Sequence, residues 1–131
     1  MTPEALIAAA RDAATRAYAP YSKFHVGAAV LLSDGRIVTG ANVENASYGL
    51  SLCAEAVALA KVANEGLLAD VVEIAVTGGT DTIFPCGRCR QMLNEAAQLG
   101  DRDIAIYCGS ARNRHMLSAL LPHAFGPKDL T

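Results

Sequence analysis

Cys53-Ala54-Glu55 and, far downstream, Pro85-Cys86-Gly87-Arg88-Cys89 constrain the fold of this chain more than any other feature. Three soft ligands that serve one ion oblige two distant segments to end at the same point in space. Zinc held by three protein ligands keeps its fourth tetrahedral position for water, whereas four protein ligands close the site and make it structural. An open site is a catalytic one, and a nearby glutamate that is not a ligand can take a proton from the bound water and pass it to a substrate nitrogen.

Two other readings compete with this one. Cys-x-x-Cys at a helix start also describes thioredoxin-like redox pairs, which would leave Cys53 and Glu55 unused. A closed structural zinc would consume all four cysteines, Cys53, Cys86, Cys89 and Cys108. Against it, Cys108 ends an apolar stretch beside Gly109, where a buried small hydrophobe is the default role. Glu55 sits among Ala54, Ala56, Val57, Ala58, Leu59 and Ala60, so its helix offers no solvated face and a carboxylate there needs a reason. Proton transfer is that reason, with one geometric difficulty. Helix positions two apart point about 200° from each other, so the reach of Glu55 to the ion is easier if Cys53 lies at the irregular helix start. His25, His115 and His123 show no mutual spacing and no proximity to the cysteine motifs, and none is assigned to the metal.

Local patterns place these motifs on elements. Thr2-Pro3-Glu4 starts a helix that Leu6, Ala9, Ala10, Ala13, Ala14 and Ala17 carry on and that stops before Pro20. Residues 25–32 and 36–41 flank Asp34-Gly35 and predict a β-hairpin. Residues 53–64 read as a buried helix closed by Gly66, and 71–77 as a strand. Residues 86–99 read as a helix stopped by Gly100, 104–108 as a strand, and 114–121 as a short helix before Pro122. A hairpin followed by alternating strands and helices predicts a mixed sheet covered by helices, an α/β fold of the three-layer α/β/α sandwich type. Both cysteine motifs then fall where loops enter helices, and the positive ends of two helix dipoles favour thiolates there.

A chain of 131 residues suffices for one compact domain over 1–131, and no repeat, linker or low-complexity segment divides it. The formal net charge of -2 argues against a broad surface for nucleic acid and for a small, weakly charged ligand. No apolar run approaches the roughly 20 residues that span a membrane. Glu4, Arg11 and Asp12 lie in an amphipathic pattern unlike an export signal, so the expected location is cytoplasmic. The apolar share, 52%, leaves surface to be buried between subunits.

Tyr21-Ser22-Lys23-Phe24, Val26-Gly27-Ala28-Ala29, Asn42-Val43-Glu44-Asn45-Ala46-Ser47-Tyr48-Gly49, Cys53-Ala54-Glu55, Pro85-Cys86-Gly87-Arg88-Cys89-Arg90-Gln91 and the tail Leu120-Leu121-Pro122-His123-Ala124-Phe125-Gly126 follow in order. Together they resemble the small homotetrameric cytidine deaminases over nearly the whole chain. A ligand-x-Glu followed by Pro-Cys-x-x-Cys is also the known signature of zinc-dependent base deaminases. The resemblance implies hydrolytic deamination of free cytidine and 2′-deoxycytidine to the uridine products and ammonia, in pyrimidine salvage. It implies zinc on Cys53, Cys86 and Cys89, with Glu55 moving protons from the bound water to ring N3 and the leaving amine. It further implies that Asn42 and Glu44 bind the ribose, that Phe24 packs on the nucleoside, and that the backbone around Ala54 and Cys86 holds the ring's polar edge. Ala46, Tyr48 and Phe125 of neighbouring chains would help close each active site of a homotetramer.

One position departs from the family pattern. Many relatives carry arginine directly after the catalytic glutamate, where this chain has Ala56. Three thiolates on a divalent ion leave net negative charge, which weakens the acidification of water unless something offsets it; Arg88, Arg90 and the two helix ends are the candidates. The alternative substrate is another cytosine derivative such as blasticidin S, whose deaminases share the zinc motif.

Overall fold

The computed structural model describes residues 1–131. Helix α1 (Pro3–Ala14) is capped by Thr2, whose hydroxyl accepts from the Ala5 amide at 3.1 Å. Strands β1 (Gly27–Leu32) and β2 (Ile37–Ala41) follow as the expected hairpin, with Gly35 at φ 92° in its turn. Then come α2 (Ala54–Asn64), β3 (Val71–Thr77), α3 (Gly87–Gly100), β4 (Ala105–Cys108), β5 (Arg114–Met116) and a single-turn α4 (Leu117–Leu120). The five strands form one sheet in the order β2-β1-β3-β4-β5; β3 and β4 are parallel and every other pair is antiparallel.

Alternation along the central strands builds two cores, because successive strand residues point to opposite faces. Ala28, Val30 and Leu32 of β1, Ile74 and Val76 of β3, and Ile106 and Cys108 of β4 face α2 and α3. Ala29, Leu31, Ala75 and Tyr107 face Leu6, Ile7 and Ala10 of α1. Full burial of a side chain such as Leu6 or Ile7 contributes about 1.5–3 kcal/mol. The result is the expected helix, sheet, helix sandwich. Two glycines let the layers approach: a Cβ on Gly27 would lie 1.9 Å from the Ala10 carbonyl oxygen, and one on Gly40 would lie 2.5 Å from that of Ala54. Gly40 therefore seats the first turn of α2, the turn that carries Glu55.

Three local expectations are corrected. Helix α1 ends at Ala14, short of Ala17, because the chain turns to pair elsewhere: the Tyr18 amide donates to Asn42 O at 3.0 Å and the Glu44 amide to Tyr18 O at 2.8 Å. Gly100 lies inside α3, where a Cβ would meet the Ala69 carbonyl oxygen at 2.5 Å; the left-handed stop is Asp101, at φ 51°. Residues 114–116 are an edge strand, because His115 and its neighbours pair with β4, and helix is confined to the turn that Asp103 caps through the Ser118 amide at 3.1 Å.

Candidate active site

Cys53 and Cys86 are the N-cap residues of α2 and α3, both with extended backbone (φ -71°, ψ 156° and φ -68°, ψ 168°). Cys89 sits one turn into α3 and is buried. The first backbone N–H groups of a helix lack intrahelical partners, so two sets of unpaired amides and two positive dipole ends converge here. The three sulfurs lie within 4.8 Å of one another. Zn–S bonds of about 2.3 Å in tetrahedral geometry place sulfurs about 3.8 Å apart, so the residues present fit a zinc ion after a small contraction. Cys108 is outside this cluster. It is packed in the core on β4, where burial pushes its thiol up to about 11. No histidine belongs to the cluster.

The thiols respond differently to their surroundings. Burial raises Cys53 and, more strongly, Cys89, with the Glu55 carboxylate adding to both. At Cys86 burial also works upward, but the Cys89 amide and the Cys89 and Cys53 thiols outweigh it and the group lies below its ordinary value. Metal binding expels the remaining thiol protons, so zinc affinity falls as pH falls.

Glu55 is 4% exposed, and burial raises its carboxyl above the usual range; its own amide and the Cys89 thiol pull weakly the other way. Because Cys53 lies outside the helix, the angular conflict between positions two apart does not arise. Glu55 lines a cavity of about 290 Å³ together with Cys53, Ala54, Cys86, Phe24, Asn42 and Glu44. Val26, Ser51, Leu52, Ile83 and Phe84 complete the lining. A larger cavity, about 390 Å³, lies between α3, α4 and the C-terminal tail. It contains none of the cysteines and not Glu55, so chemistry and not size identifies the site.

Asn42 and Glu44 fasten the segment that carries Phe24. Asn42 Oδ1 accepts from the Val26 amide and Asn42 Nδ2 donates to the Phe24 carbonyl, both at 2.8 Å. One N–H and one lone pair of that amide remain. Glu44 Oε1 accepts from the Tyr21 and Ser22 amides at 3.0 and 3.1 Å, and the Ser22 hydroxyl donates to Oε2. The Ser22 hydroxyl, more than any other neighbour, holds the Glu44 carboxyl below the usual range.

Ala46, Tyr48 and Phe125 do not line this cavity. Ala46 is exposed, Tyr48 is 74% and Phe125 60% exposed, and the Tyr48 ring lies tilted against that of Tyr21, centroids 6.0 Å apart. Sequence reasoning missed how Phe125 is held: its carbonyl accepts from Gln91 Nε2 at 2.7 Å and Asn94 Nδ2 at 3.0 Å, and Gln98 Oε1 accepts from the Lys128 amide at 2.9 Å. The signal was present as an amide stripe at i, i+3 and i+7 on α3. Arg90 binds the Pro85 and Leu120 carbonyls at 2.8 and 2.9 Å and so braces the loop before Cys86; Arg88 is exposed, and Ala56 is buried.

The family model described as the cytidine and deoxycytidylate deaminase zinc-binding region matches residues 1–107. A curated relative, the cytidine deaminase of Halalkalibacterium halodurans, is 46% identical over 99% of this chain and 98% of its own length. The crystal structure of cytidine deaminase from Burkholderia pseudomallei superposes with a TM-score of 0.81 at 43% identity, covering 95% of this chain and all (100%) of that one. That of cytidine deaminase from Mycobacterium tuberculosis gives 0.79 at 43%, covering 93% and 95%.

Proposed function

The chain belongs to the cytidine and deoxycytidylate deaminase family, and on that premise we propose that it hydrolyses free cytidine and 2′-deoxycytidine to uridine and 2′-deoxyuridine with release of ammonia, as a step of pyrimidine salvage. The observation that carries this reading is one cavity lined by Cys53, Cys86 and the buried Glu55 together with Asn42 and Glu44. Zinc on Cys53, Cys86 and Cys89 supplies a Lewis acid with an open position that lowers the pKa of water. Glu55, raised by burial, is a suitable base for the proton that water gives up. It delivers that proton to ring N3 as the water's oxygen adds at C4, then takes the proton left on that oxygen and passes it to the amine, which departs as ammonia as the C4–N bond breaks and the C4 carbonyl forms. The Ala54 amide, free at the start of α2, holds the ring's polar edge, and Phe24 packs on the nucleoside. The remaining valences of Asn42 and Glu44 meet sugar hydroxyls, a use that a ligand without sugar does not have. With Ala56 in place of arginine, the helix N-termini and the Arg90 guanidinium, which the Pro85 and Leu120 carbonyls hold beside the loop before Cys86, offset the thiolate charge.

Residues 1–131 act as one catalytic domain in this reading, in the cytoplasm; no helix is long and apolar enough to cross a membrane. The exposed Ala46, Tyr48 and Phe125 complete the sites of neighbouring chains in a homotetramer. Mixed reassembly of Glu55→Gln with Phe125→Ala chains, each impaired alone, should restore activity through hybrid sites, whereas a fully active monomer by light scattering contradicts shared sites. Absorbance assays over cytidine, deoxycytidine, cytosine, cytidine monophosphate and blasticidin S test the substrate. The two nucleosides should dominate by kcat/KM, and turnover of blasticidin S alone overturns the proposal.

A further inference from the structure

Resting on the reading of Asn42 and Glu44 as sugar contacts, we propose that Ser22 is a positioning residue that presets Glu44 for a sugar hydroxyl and couples that contact to the placement of Phe24. A serine hydroxyl has one proton and two lone pairs. The Phe24 amide donates to Ser22 Oγ at 3.0 Å, which fills one lone pair and turns the hydroxyl proton toward Glu44 Oε2, its acceptor. The Ser22 and Tyr21 amides occupy Glu44 Oε1. A carboxylate has about four lone-pair sites; three are committed, and the one left, on Oε2, is what a ligand hydroxyl can use. Ser22 thus decides which oxygen of Glu44 faces the ligand and in what direction it accepts.

Placement supports a supporting role over a contacting one. Glu44 lines both the cavity that holds Cys53 and Glu55 and a neighbouring one of about 300 Å³, formed with Tyr21, Ser22, Tyr48 and Ser51. Ser22 lines only the second, so it grips the carboxylate from the side away from Glu55. The backbone between Ser22 and Phe24 passes through Lys23 at φ 61°, a left-handed conformation uncommon outside glycine. That turn brings the Phe24 amide back onto the Ser22 hydroxyl. The same hydroxyl therefore anchors Phe24, whose carbonyl is fixed from the other side by Asn42. Asn42, Glu44, Ser22 and Phe24 form one hydrogen-bonded unit, and a sugar that engages the first two meets the ring of the fourth already in place.

Ser22→Ala tests this. Loss of a hydrogen bond to a charged group predicts a rise of about tenfold in KM for cytidine, with kcat within about twofold of the parent because Glu55 and the cysteines are untouched. Zinc content stays unchanged. The penalty should be clearly smaller with 2′,3′-dideoxycytidine, which lacks both ring hydroxyls and keeps only the Phe24 contact. Ser22→Thr and Ser22→Val form a shape-matched pair that separates hydroxyl from packing: threonine should keep the parent KM and valine repeat the alanine result. Glu44→Gln is measured beside them. A raised KM in Glu44→Gln with an unchanged KM in Ser22→Ala and Ser22→Val overturns the proposal and leaves the sugar reading standing. An unchanged KM in all three overturns the sugar reading, and the proposal with it. An equal penalty for cytidine and the dideoxynucleoside shows that Ser22 serves packing alone and overturns the proposal.

Discussion

Glu55→Gln is expected to lose at least about 10²-fold in kcat while keeping its zinc and its fold, since glutamine preserves size and polarity but cannot carry a proton. Glu55 acts on the proposed ligands through its charge, which raises the Cys53 and Cys89 thiols, so its loss should not cost the site its zinc. It is not among the three clustered sulfurs, and it makes no ion pair. Burial raises its carboxyl, which has a consequence for stability. A carboxyl whose pKa is higher folded than unfolded is neutral in both states at low pH, and it costs stability once the unfolded chain ionises more readily. Metal-free Glu55→Gln should therefore match the metal-free parent below about pH 4. It should become the more stable of the two as pH rises toward the folded value, and keep that gain above it. Metal analysis, steady-state kinetics and thermal melts across pH check all three parts. Retention of more than about a tenth of parental kcat contradicts the assignment.

Cys89→Ala should remove zinc and activity together, whereas Cys108→Ser should keep both. Even residues that only support a ligand are worth about 10–100-fold in metal affinity, so loss of one of three ligands should exceed that. Dialysis against a mild chelator should then strip the alanine variant and spare the parent. Cys108 sits in the core, its Sγ 3.7 Å from the Ile106 carbonyl oxygen. Its replacement buries a hydroxyl at a cost of about 1–3 kcal/mol without touching the ion. Zinc loss from Cys108→Ser would return the closed four-cysteine site to consideration.

Much of this architecture is written locally. Strand 71–77 coincides with β3, because its apolar run is bounded by a turn on one side and Gly78-Gly79 on the other. The two helix starts that carry Cys53 and Cys86 were legible for the same reason, and the sulfurs converge because the sheet brings α2 and α3 onto one face. What the sequence hid depends on partners far along the chain. Residues 114–116 carry a helical pattern but are drawn into strand by β4. Gly100 looks like a helix stop, yet a close approach to Ala69 uses its missing Cβ and Asp101 makes the stop instead. The grip of Ser22 on Glu44 spans the length of the hairpin, and no local spacing announces it. Ala46, Tyr48 and Phe125 are exposed on the single chain and lie outside the cavity that holds Glu55.

Zinc-dependent deamination of a free nucleoside stands or falls with ammonia release from cytidine measured against zinc content. The protein is assayed as purified, after chelation, and after zinc is returned, with uridine and ammonia both quantified. Uridine and ammonia should form in equal yields, and turnover should be lost in step with zinc and recover on its return. Full turnover by zinc-free protein, or no conversion of cytidine by zinc-loaded protein, would contradict this.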